Sequence, residues 1–161
     1  MQMEGMVTDL ALAREKQQAF DEWLTNQDKK LKLDFSVTVL TTGHWPTYKQ
    51  IDLALPQEMA DCVDTFKAFY NINNNNRKLI WYFSHGSATI KANFDARPIE
   101  LVLSTQQAAC LMLFNDAEEL SLPEVTERMK IDEEDTLRTL HSLACSKFKL
   151  LGKDGNPKSI A

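Results

Sequence analysis

Residues 37–48 read Val-Thr-Val-Leu-Thr-Thr-Gly-His-Trp-Pro-Thr-Tyr, and they mark the point where the chain changes from a helical to an extended pattern. Val37 and Val39 are β-branched and alternate with other side chains, which predicts a strand with one apolar face. Gly43 is expected to permit a backbone angle that other residues resist, and Pro46 disfavours continuation as a helix. The stretch therefore predicts a strand that ends in a rigid corner.

Three later stretches have the composition of further strands. Residues 79–83 form a short apolar and aromatic run, and residues 88–94 and 99–103 alternate apolar with polar side chains. A helix precedes them, because Pro56 suits a first helical turn and apolar side chains then recur on one face. We expect a small α/β subdomain with a mainly antiparallel sheet of four strands, whose edges can accept another strand. The apolar positions of its helix are Met59, Val63, Phe66 and Tyr70.

The chain begins with an amphipathic helix. Apolar residues recur every three or four positions between residues 3 and 24, which predicts one apolar stripe. A lone helix of about 22 residues gains most of its stability from packing, yet no other part of the sequence provides a set of partner helices. We therefore expect this helix to be poorly anchored, so that it protrudes or self-associates; the alternative is a helix that lies on its own domain. The positions of the stripe are Met3, Met6, Leu10, Ala13, Phe20 and Leu24.

After residue 105 the apolar period becomes helical again, and three helices are predicted. The second begins at Ser121 with a capping box and a proline in its first turn. The third follows Asp132, and residues 148–151 are then predicted to form a strand. Three helices and a strand are the order of a winged helix, here expected to stop before its wing is complete. The whole chain is thus predicted to be of the α+β class.

The run VTVLTTGHWPTYK at residues 37–49 resembles the cullin family, the scaffolds of multisubunit ubiquitin ligases. Three other blocks resemble the same family in the same order: MEGMVTDL at residues 3–10, RKLIWYFS at 77–84 and LHSLACSKFKLL at 140–151. The likeness is strongest to cullins of SCF-type ligases in a plant- or alga-like version. His44 departs from the family, which usually has a large aromatic residue there, and this difference affects local packing.

The resemblance implies a fragment of the C-terminal cullin region in four parts. Residues 1–26 would be the last helix of the helical bundle, and residues 35–104 an α/β subdomain that docks a RING-box protein. Residues 105–153 would be a winged-helix-like subdomain and residues 154–161 a tail. In cullins the N-terminal segment of the RING-box protein adds a strand to the sheet, and this subunit recruits the ubiquitin-charged conjugating enzyme. Resemblance to cullins also implies a location in the cytoplasm and nucleus.

The same resemblance implies which residues contact the RING-box protein and which regions of a cullin this chain lacks. The regions that bind substrate adaptors, and the lysine that accepts the ubiquitin-like protein NEDD8, are expected to lie outside this chain. The chain is then a non-catalytic scaffold without a cofactor. The strand residues expected to contact the RING-box protein are Val37, Val39, Leu79, Trp81, Phe83, Leu101 and Leu103.

The residues that could carry chemistry do not form a recognisable site. His141 and Cys145 are four positions apart on a helix, but two ligands without a companion pair are a weak metal signal. Ser84 and His85 are adjacent, which does not place a base on a nucleophile. Cys110 lies in an apolar helix, where a thiol is expected to be inert. We therefore expect neither a catalytic nor a metal site.

Size and composition argue against several other classes of protein. The chain has 161 residues, a net charge of -5 and three widely spaced cysteines, which suits a reducing compartment better than a disulfide framework. No window approaches the roughly 20 apolar residues of a membrane span, and no secretory signal is expected. The negative charge argues against a phosphate backbone as the main partner.

A winged-helix nucleic-acid-binding protein is the alternative function. In such proteins the third helix enters the major groove with its first turns towards the bases. Here that end is Asp132-Glu-Glu-Asp, four acids that would face phosphates and that suit a helix start through the helix dipole. The few nearby basic residues do not reverse this charge, so a structural or protein-binding role is favoured over DNA binding. They are Arg138, Lys147, Lys149 and Lys153.

Overall fold

A computed structural model describes residues 2–94, 96–147 and 149–153. Within these residues, five helices and one two-stranded antiparallel sheet confirm the predicted α+β class. Single 3-10 turns occur at Thr42–His44 and Phe83–His85. The predicted tail at residues 154–161 lies outside the described residues. The main elements are α1 (Gln2–Asn26), α2 (Gln57–Asn73), β1 (Ser87–Asn93), β2 (Pro98–Ser104), α3 (Thr105–Leu113), α4 (Leu122–Met129) and α5 (Glu133–Ala144).

The contacts divide the chain into two compact units. The described residues of Met1–Lys49 and Gln57–Ile80 form the first unit, and those of Gln50–Pro56 and Trp81–Ala161 form the second. The first unit contains α1 and α2, and the second contains the sheet with α3, α4 and α5. The predicted subdomain boundaries at residues 26, 35, 104 and 153 stay a prediction.

An aromatic cluster forms the core of the first unit. Phe20 of α1 is fully buried, and its ring centroid lies 5.1 Å from that of Phe66 and 5.3 Å from that of Phe69, both in α2. Phe35 meets Phe20 edge-on at 6.5 Å. Burial of one such side chain contributes about 1.5–3 kcal/mol. The C-terminal half of α1 is therefore firmly held by α2, and the expectation of a poorly anchored helix is wrong there.

The apolar stripe predicted for α1 is also wrong in its N-terminal half. Met3 is 79% exposed and Leu10 45% exposed, whereas the buried residues of the helix are Asp9, Ala13 and Phe20. These three share one helix face, because they are spaced by four and seven residues. The inward face thus includes a carboxylate, and a search for apolar periodicity passes over it.

A hairpin opens the sheet-containing part of the second unit. β1 and β2 pair antiparallel from Ser87 opposite Ser104 to Asn93 opposite Pro98, which confirms the strands predicted at residues 88–94 and 99–103. The chain turns directly from β2 into α3. A capping box makes that turn, because Ser104 N donates to Gln107 Oε1 at 3.0 Å and Gln107 N donates to Ser104 Oγ at 3.2 Å.

The three helices after the hairpin pack around one hydrophobic core, and their predicted order is confirmed. The predicted capping box of α4 is present, since Ser121 N donates to Glu124 Oε2 at 2.8 Å. Ala54 N also donates to Met129 O at 2.9 Å, which fixes the segment before α2 to this unit. The winged-helix class itself stays a prediction. The buried core residues are Leu53, Ala109, Cys110, Val125, Met129, Ile131 and Leu143.

Two of the four predicted strands do not form in the part of the chain that the structure describes. Residues 37–41 run into the turn at Thr42–His44, and residues 79–82 run into the turn at Phe83–His85, without sheet pairing in either case. A strand requires a neighbouring backbone that exchanges hydrogen bonds with it. Neither segment has strand structure in the described part of the chain, where the sheet consists of β1 and β2, so the four-stranded sheet is corrected to a two-stranded one.

The strand predicted at residues 148–151 is not observed where it can be checked. Phe148 lies outside the described residues, and residues 149–151 have no strand conformation. Instead the chain folds back on α5, because Leu150 N donates to Leu143 O at 2.9 Å.

Candidate functional site

The run at residues 37–49, called here the sequence signature, is held against α1 by one buried carboxylate, that of Asp9. Asp9 Oδ2 accepts hydrogen bonds from Thr41 N at 2.9 Å and from Trp45 Nε1 at 2.8 Å, and Asp9 Oδ1 accepts one from Thr41 Oγ1 at 2.8 Å. The Nδ1 of His44 lies 3.3 Å from Asp9 Oδ2 and donates to it in the tautomer that carries a proton there. Four contacts thus hold the corner after residue 40 against the helix.

These donors keep the buried carboxylate ionised. Burial alone would raise the pKa of Asp9, but the hydrogen bonds from Thr41, Trp45 and His44 outweigh burial and lower the pKa to about 2. Hydrogen bonds to the charged form of a carboxylate favour that form. Asp9 is therefore negatively charged throughout the physiological range.

The glycine that matters for this corner is Gly5, and the expectation for Gly43 is wrong. A Cβ at Gly5 would lie 2.8 Å from the ring of His44, so the ring packs where a side chain would otherwise stand. Gly43 has no left-handed backbone angle, and a Cβ there would meet nothing within 4 Å. Its turn is an ordinary 3-10 turn that other residues can adopt.

Residues 34–41, called here the pinned segment, lie beside α1; the backbone angles of Thr41, and the bonds of one side chain to residues two positions apart, are those of an extended chain. Gln17 Oε1 accepts from Val37 N at 2.8 Å, and Gln17 Nε2 donates to Phe35 O at 3.4 Å. Together with Thr41 N, these groups lie on the edge that faces α1, because N–H and C=O groups of an extended chain alternate between its two edges. We call this the inner edge; its residues are Phe35, Val37, Val39 and Thr41.

The other edge of the pinned segment has no backbone partner in the described part of the chain. The side chains of Ser36, Thr38 and Leu40 are exposed, and their backbone N–H and C=O groups make no hydrogen bond to any described residue. Val37 and Val39 are half-buried on the opposite side of the pleat. This outer edge, formed by Ser36, Thr38 and Leu40, therefore has the hydrogen-bonding pattern of a strand that lacks its neighbour.

The predicted contact residues of the second unit form two adjacent pairs. The rings of Trp81 and Phe83 are stacked, with centroids 6.0 Å apart and an interplanar angle of 16°. Leu101 lies opposite Ile90, and Leu103 lies two residues farther along the same face of the hairpin. Phe83 and Leu103 also pack against the hydrophobic core of this unit.

All seven predicted contact residues are half-buried, neither fully enclosed nor fully exposed. Val37, Val39 and Leu79 belong to the first unit, and the remaining four belong to the second. Half-burial leaves apolar area that a partner can cover, but whether these residues contact a partner stays a prediction. The remaining four are Trp81, Phe83, Leu101 and Leu103.

Sequence reasoning missed the two residues that hold the pinned segment. Asp9 and Gln17 lie outside the apolar stripe predicted for α1, although Asp9 shares the face of Ala13 and Phe20. That shared face was the available signal for Asp9. Gln17 has no comparable signal, because a glutamine on a helix is ordinarily solvated.

Groups with possible chemistry are placed as structural elements. Cys110 is fully enclosed in the core, where burial raises the pKa of its thiol to about 11, so the thiol stays protonated. Cys145 N donates to His141 O at the end of α5, a helical contact. Nowhere in residues 2–94, 96–147 or 149–153 do three or more His, Cys, Asp or Glu side chains gather as a metal site would require.

The surface of α5 gives no support to the nucleic-acid alternative. Asp132 caps the helix by accepting from Asp135 N at 2.8 Å, and Glu133 and Glu134 follow in the first turn. Arg138 pairs with Glu134 on the same helix, and both side chains are exposed. Among the described helices, none has the length and hydrophobicity that a bilayer crossing demands.

Comparison with known proteins decides the family. The family model described as the Cullin alpha+beta domain matches residues 39–161, about three quarters of the chain. The chain belongs to the cullin family. Cullin-2 of Arabidopsis thaliana is 49% identical over 160 residues, and Cullin-1 of Oryza sativa subsp. japonica is 46% identical over 160 residues. Each of these alignments covers 99% of this chain.

More distant cullins align over the same region. Cullin-4A of Homo sapiens is 34% identical over 158 residues, which is 98% of this chain and 21% of that protein. The two plant cullins are likewise covered over only 22% of their length. This cullin chain therefore spans about a fifth of the length of the curated relatives it matches.

Proposed function

We propose that this chain is the part of a cullin-RING ubiquitin ligase scaffold that docks the RING-box subunit by strand addition. The subunit's extended N-terminal segment pairs with the outer edge of the pinned segment, and its RING portion then recruits the ubiquitin-charged conjugating enzyme. The chain contributes no reacting group to ubiquitin transfer in this proposal. It holds the partner in place.

The observation that carries the proposal is the free outer edge. Ser36, Thr38 and Leu40 present backbone donors and acceptors without partners among the described residues, in a segment whose other edge is already held by α1. A strand added there gains backbone hydrogen bonds along its length, while side-chain pockets select its sequence. Because the segment is already extended, little conformational entropy has to be lost when the strand pairs.

The half-buried apolar residues supply the selectivity in this proposal. An added strand alternates its side chains between two faces, so every second partner residue can cover apolar area on the scaffold. Proteins manage exposed strand edges because these invite aggregation, and a partner that covers the edge removes that hazard. The residues proposed to contact the RING-box protein are Val37, Val39 and Leu79 in the first unit, and Trp81, Phe83, Leu101 and Leu103 in the second.

The direct test is a binding measurement with two forms of one partner. The chain should bind a recombinant zinc-loaded RING-box protein, and removal of that protein's N-terminal segment should weaken binding at least about a hundred-fold, because the added strand is lost. No binding by the intact partner would contradict the proposal. Equal binding of both forms would contradict strand addition while leaving docking intact.

A matched pair of variants locates the edge. Thr38→Pro removes one outer-edge N–H but leaves the bonds from Gln17 in place, and proline favours an extended conformation in the residue before it. Thr38→Val keeps the N–H and removes only the hydroxyl. Thr38→Pro should weaken partner binding about ten-fold, since one backbone hydrogen bond contributes roughly 0.5–1.5 kcal/mol and the ring also hinders pairing. Thr38→Val should bind like the wild type.

A further inference from the structure

Gln17 makes three hydrogen bonds that together define the direction of its amide group. Its Oε1 accepts from Val37 N at 2.8 Å, and its Nε2 donates to Phe35 O at 3.4 Å and to Asp21 Oδ1 at 3.0 Å. A backbone N–H can only donate and a carboxylate can only accept. Val37 and Asp21 therefore agree on which end of the amide is oxygen and which is nitrogen, so the reverse orientation would lose both bonds.

The pattern of these bonds is that of a neighbouring parallel strand. In a parallel pair, one residue accepts from the N–H on one side of its opposite residue and donates to the C=O on the other side. Gln17 does this around Ser36, with Phe35 O before it and Val37 N after it. The side-chain amide thus takes the place of a backbone neighbour on the inner edge.

We infer that Gln17 is a positioning residue for strand addition: its amide occupies the inner edge, holds the pinned segment extended and leaves only the outer edge for the partner strand. The inference rests on the function proposed above and adds the residue that chooses the edge. It also determines which scaffold residues pair, because partner groups must bond to Ser36, Thr38 and Leu40 rather than to Phe35 and Val37.

The alternative is that Gln17 merely stabilises the fold. The two roles differ in which measured quantities change when Gln17 is replaced. A structural contact would change the unfolding transition and the binding of any form of the partner. A positioning contact changes the local opening of the pinned segment and the part of the affinity that comes from the added strand. The partner without its N-terminal segment therefore serves as the internal reference.

The test uses Gln17→Met, which keeps the length of the side chain and its helix propensity but removes all three hydrogen bonds. Gln18→Met is the matched control, because Gln18 is the exposed neighbour on α1 and its amide donates to Glu22 on the helix surface. Three quantities are measured for the full chain: amide exchange at Val37, the melting temperature, and affinity for the RING-box protein with and without its N-terminal segment.

Gln17→Met is expected to speed exchange at Val37 about ten-fold and to weaken binding of the intact partner about ten-fold, as the loss of one to two hydrogen bonds predicts. Residual binding of the shortened partner and exchange in α2 should not change, and Gln18→Met should match the wild type. Binding by Gln17→Met within two-fold of the wild type overturns this inference alone. Failure of the wild type to bind overturns the proposed function and the inference together.

Discussion

The indole Nε1 of Trp45 donates a 2.8 Å hydrogen bond to Oδ2 of Asp9, 36 positions earlier in the chain. This bond joins the sequence signature to the helix that precedes it, and Thr41 and His44 complete the same cluster. The signature is thus not only a strand-forming run. Its second half is a corner that is hydrogen-bonded to α1. The pinned segment is held by this corner at one end and by Gln17 nearer the other.

Replacing Asp9 by a neutral residue should show how much this hydrogen-bonded cluster contributes to the stability of the fold. Asp9→Asn loses the charge that four donors surround, which should lower the free energy of unfolding by roughly 3 kcal/mol at pH 7, since hydrogen bonds to a charged group contribute about 1.5–3 kcal/mol each. Glu15→Gln removes an exposed carboxylate from the same helix and should change stability by less than about 0.5 kcal/mol. Urea unfolding of the three proteins measures both effects.

The same pair gives a prediction for pH. Because folding lowers the pKa of Asp9 from 3.8 to about 2, its contribution is fully present above the unfolded value and is lost as the pH falls through the folded value. The stability difference between the wild type and Asp9→Asn should therefore stay constant down to about pH 4 and shrink towards pH 2. A difference that does not depend on pH would contradict an ionised Asp9.

Two glycine substitutions test the packing of His44. Alanine in a helix interior is about 1 kcal/mol more favourable than glycine, so Gly5→Ala should stabilise α1 unless something opposes it. We expect no gain, because the new Cβ would lie 2.8 Å from the imidazole ring. In the His44→Ala background the gain of about 1 kcal/mol should reappear. Gly43→Ala, with open space around its Cβ, is the control and should leave the melting temperature nearly unchanged.

Truncating the aromatic core of the first unit should be costly. Phe20→Ala removes a fully buried ring that contacts Phe66 and Phe69, and a loss of about 3–5 kcal/mol is expected. Val7→Ala on the same helix removes two methyl groups from a side chain that is 68% exposed, and should cost nothing measurable. Equal effects of the two substitutions in thermal unfolding would contradict the assignment of the buried face.

The helices could be predicted from the sequence because their evidence is local. Apolar spacing located α2, and Ser121 with Glu124 located the start of α4. The strands at residues 37–41 and 79–82 were predicted from β-branched and aromatic side chains, which favour an extended chain but do not supply a pairing neighbour. Composition reports the conformation of one segment; a sheet depends on what lies beside it.

Only part of the candidate site could be predicted from the sequence, for a related reason. The run that contains Val37 and Trp45 is conspicuous, and its resemblance to cullins led to the correct family. Asp9 and Gln17 act through contacts 18 to 36 positions away, which no local pattern encodes. Both are polar residues of an amphipathic helix, and such residues are solvated by default.

The most direct measurement is amide hydrogen exchange in the pinned segment, with and without a RING-box protein. The N–H groups of Ser36, Thr38 and Leu40 have no partner among the described residues, so they should exchange rapidly in the chain alone and become protected at least about a hundred-fold in the complex. Val37, already bonded to Gln17, should change little. A stable complex in which Ser36, Thr38 and Leu40 still exchange rapidly would contradict docking by strand addition at this edge.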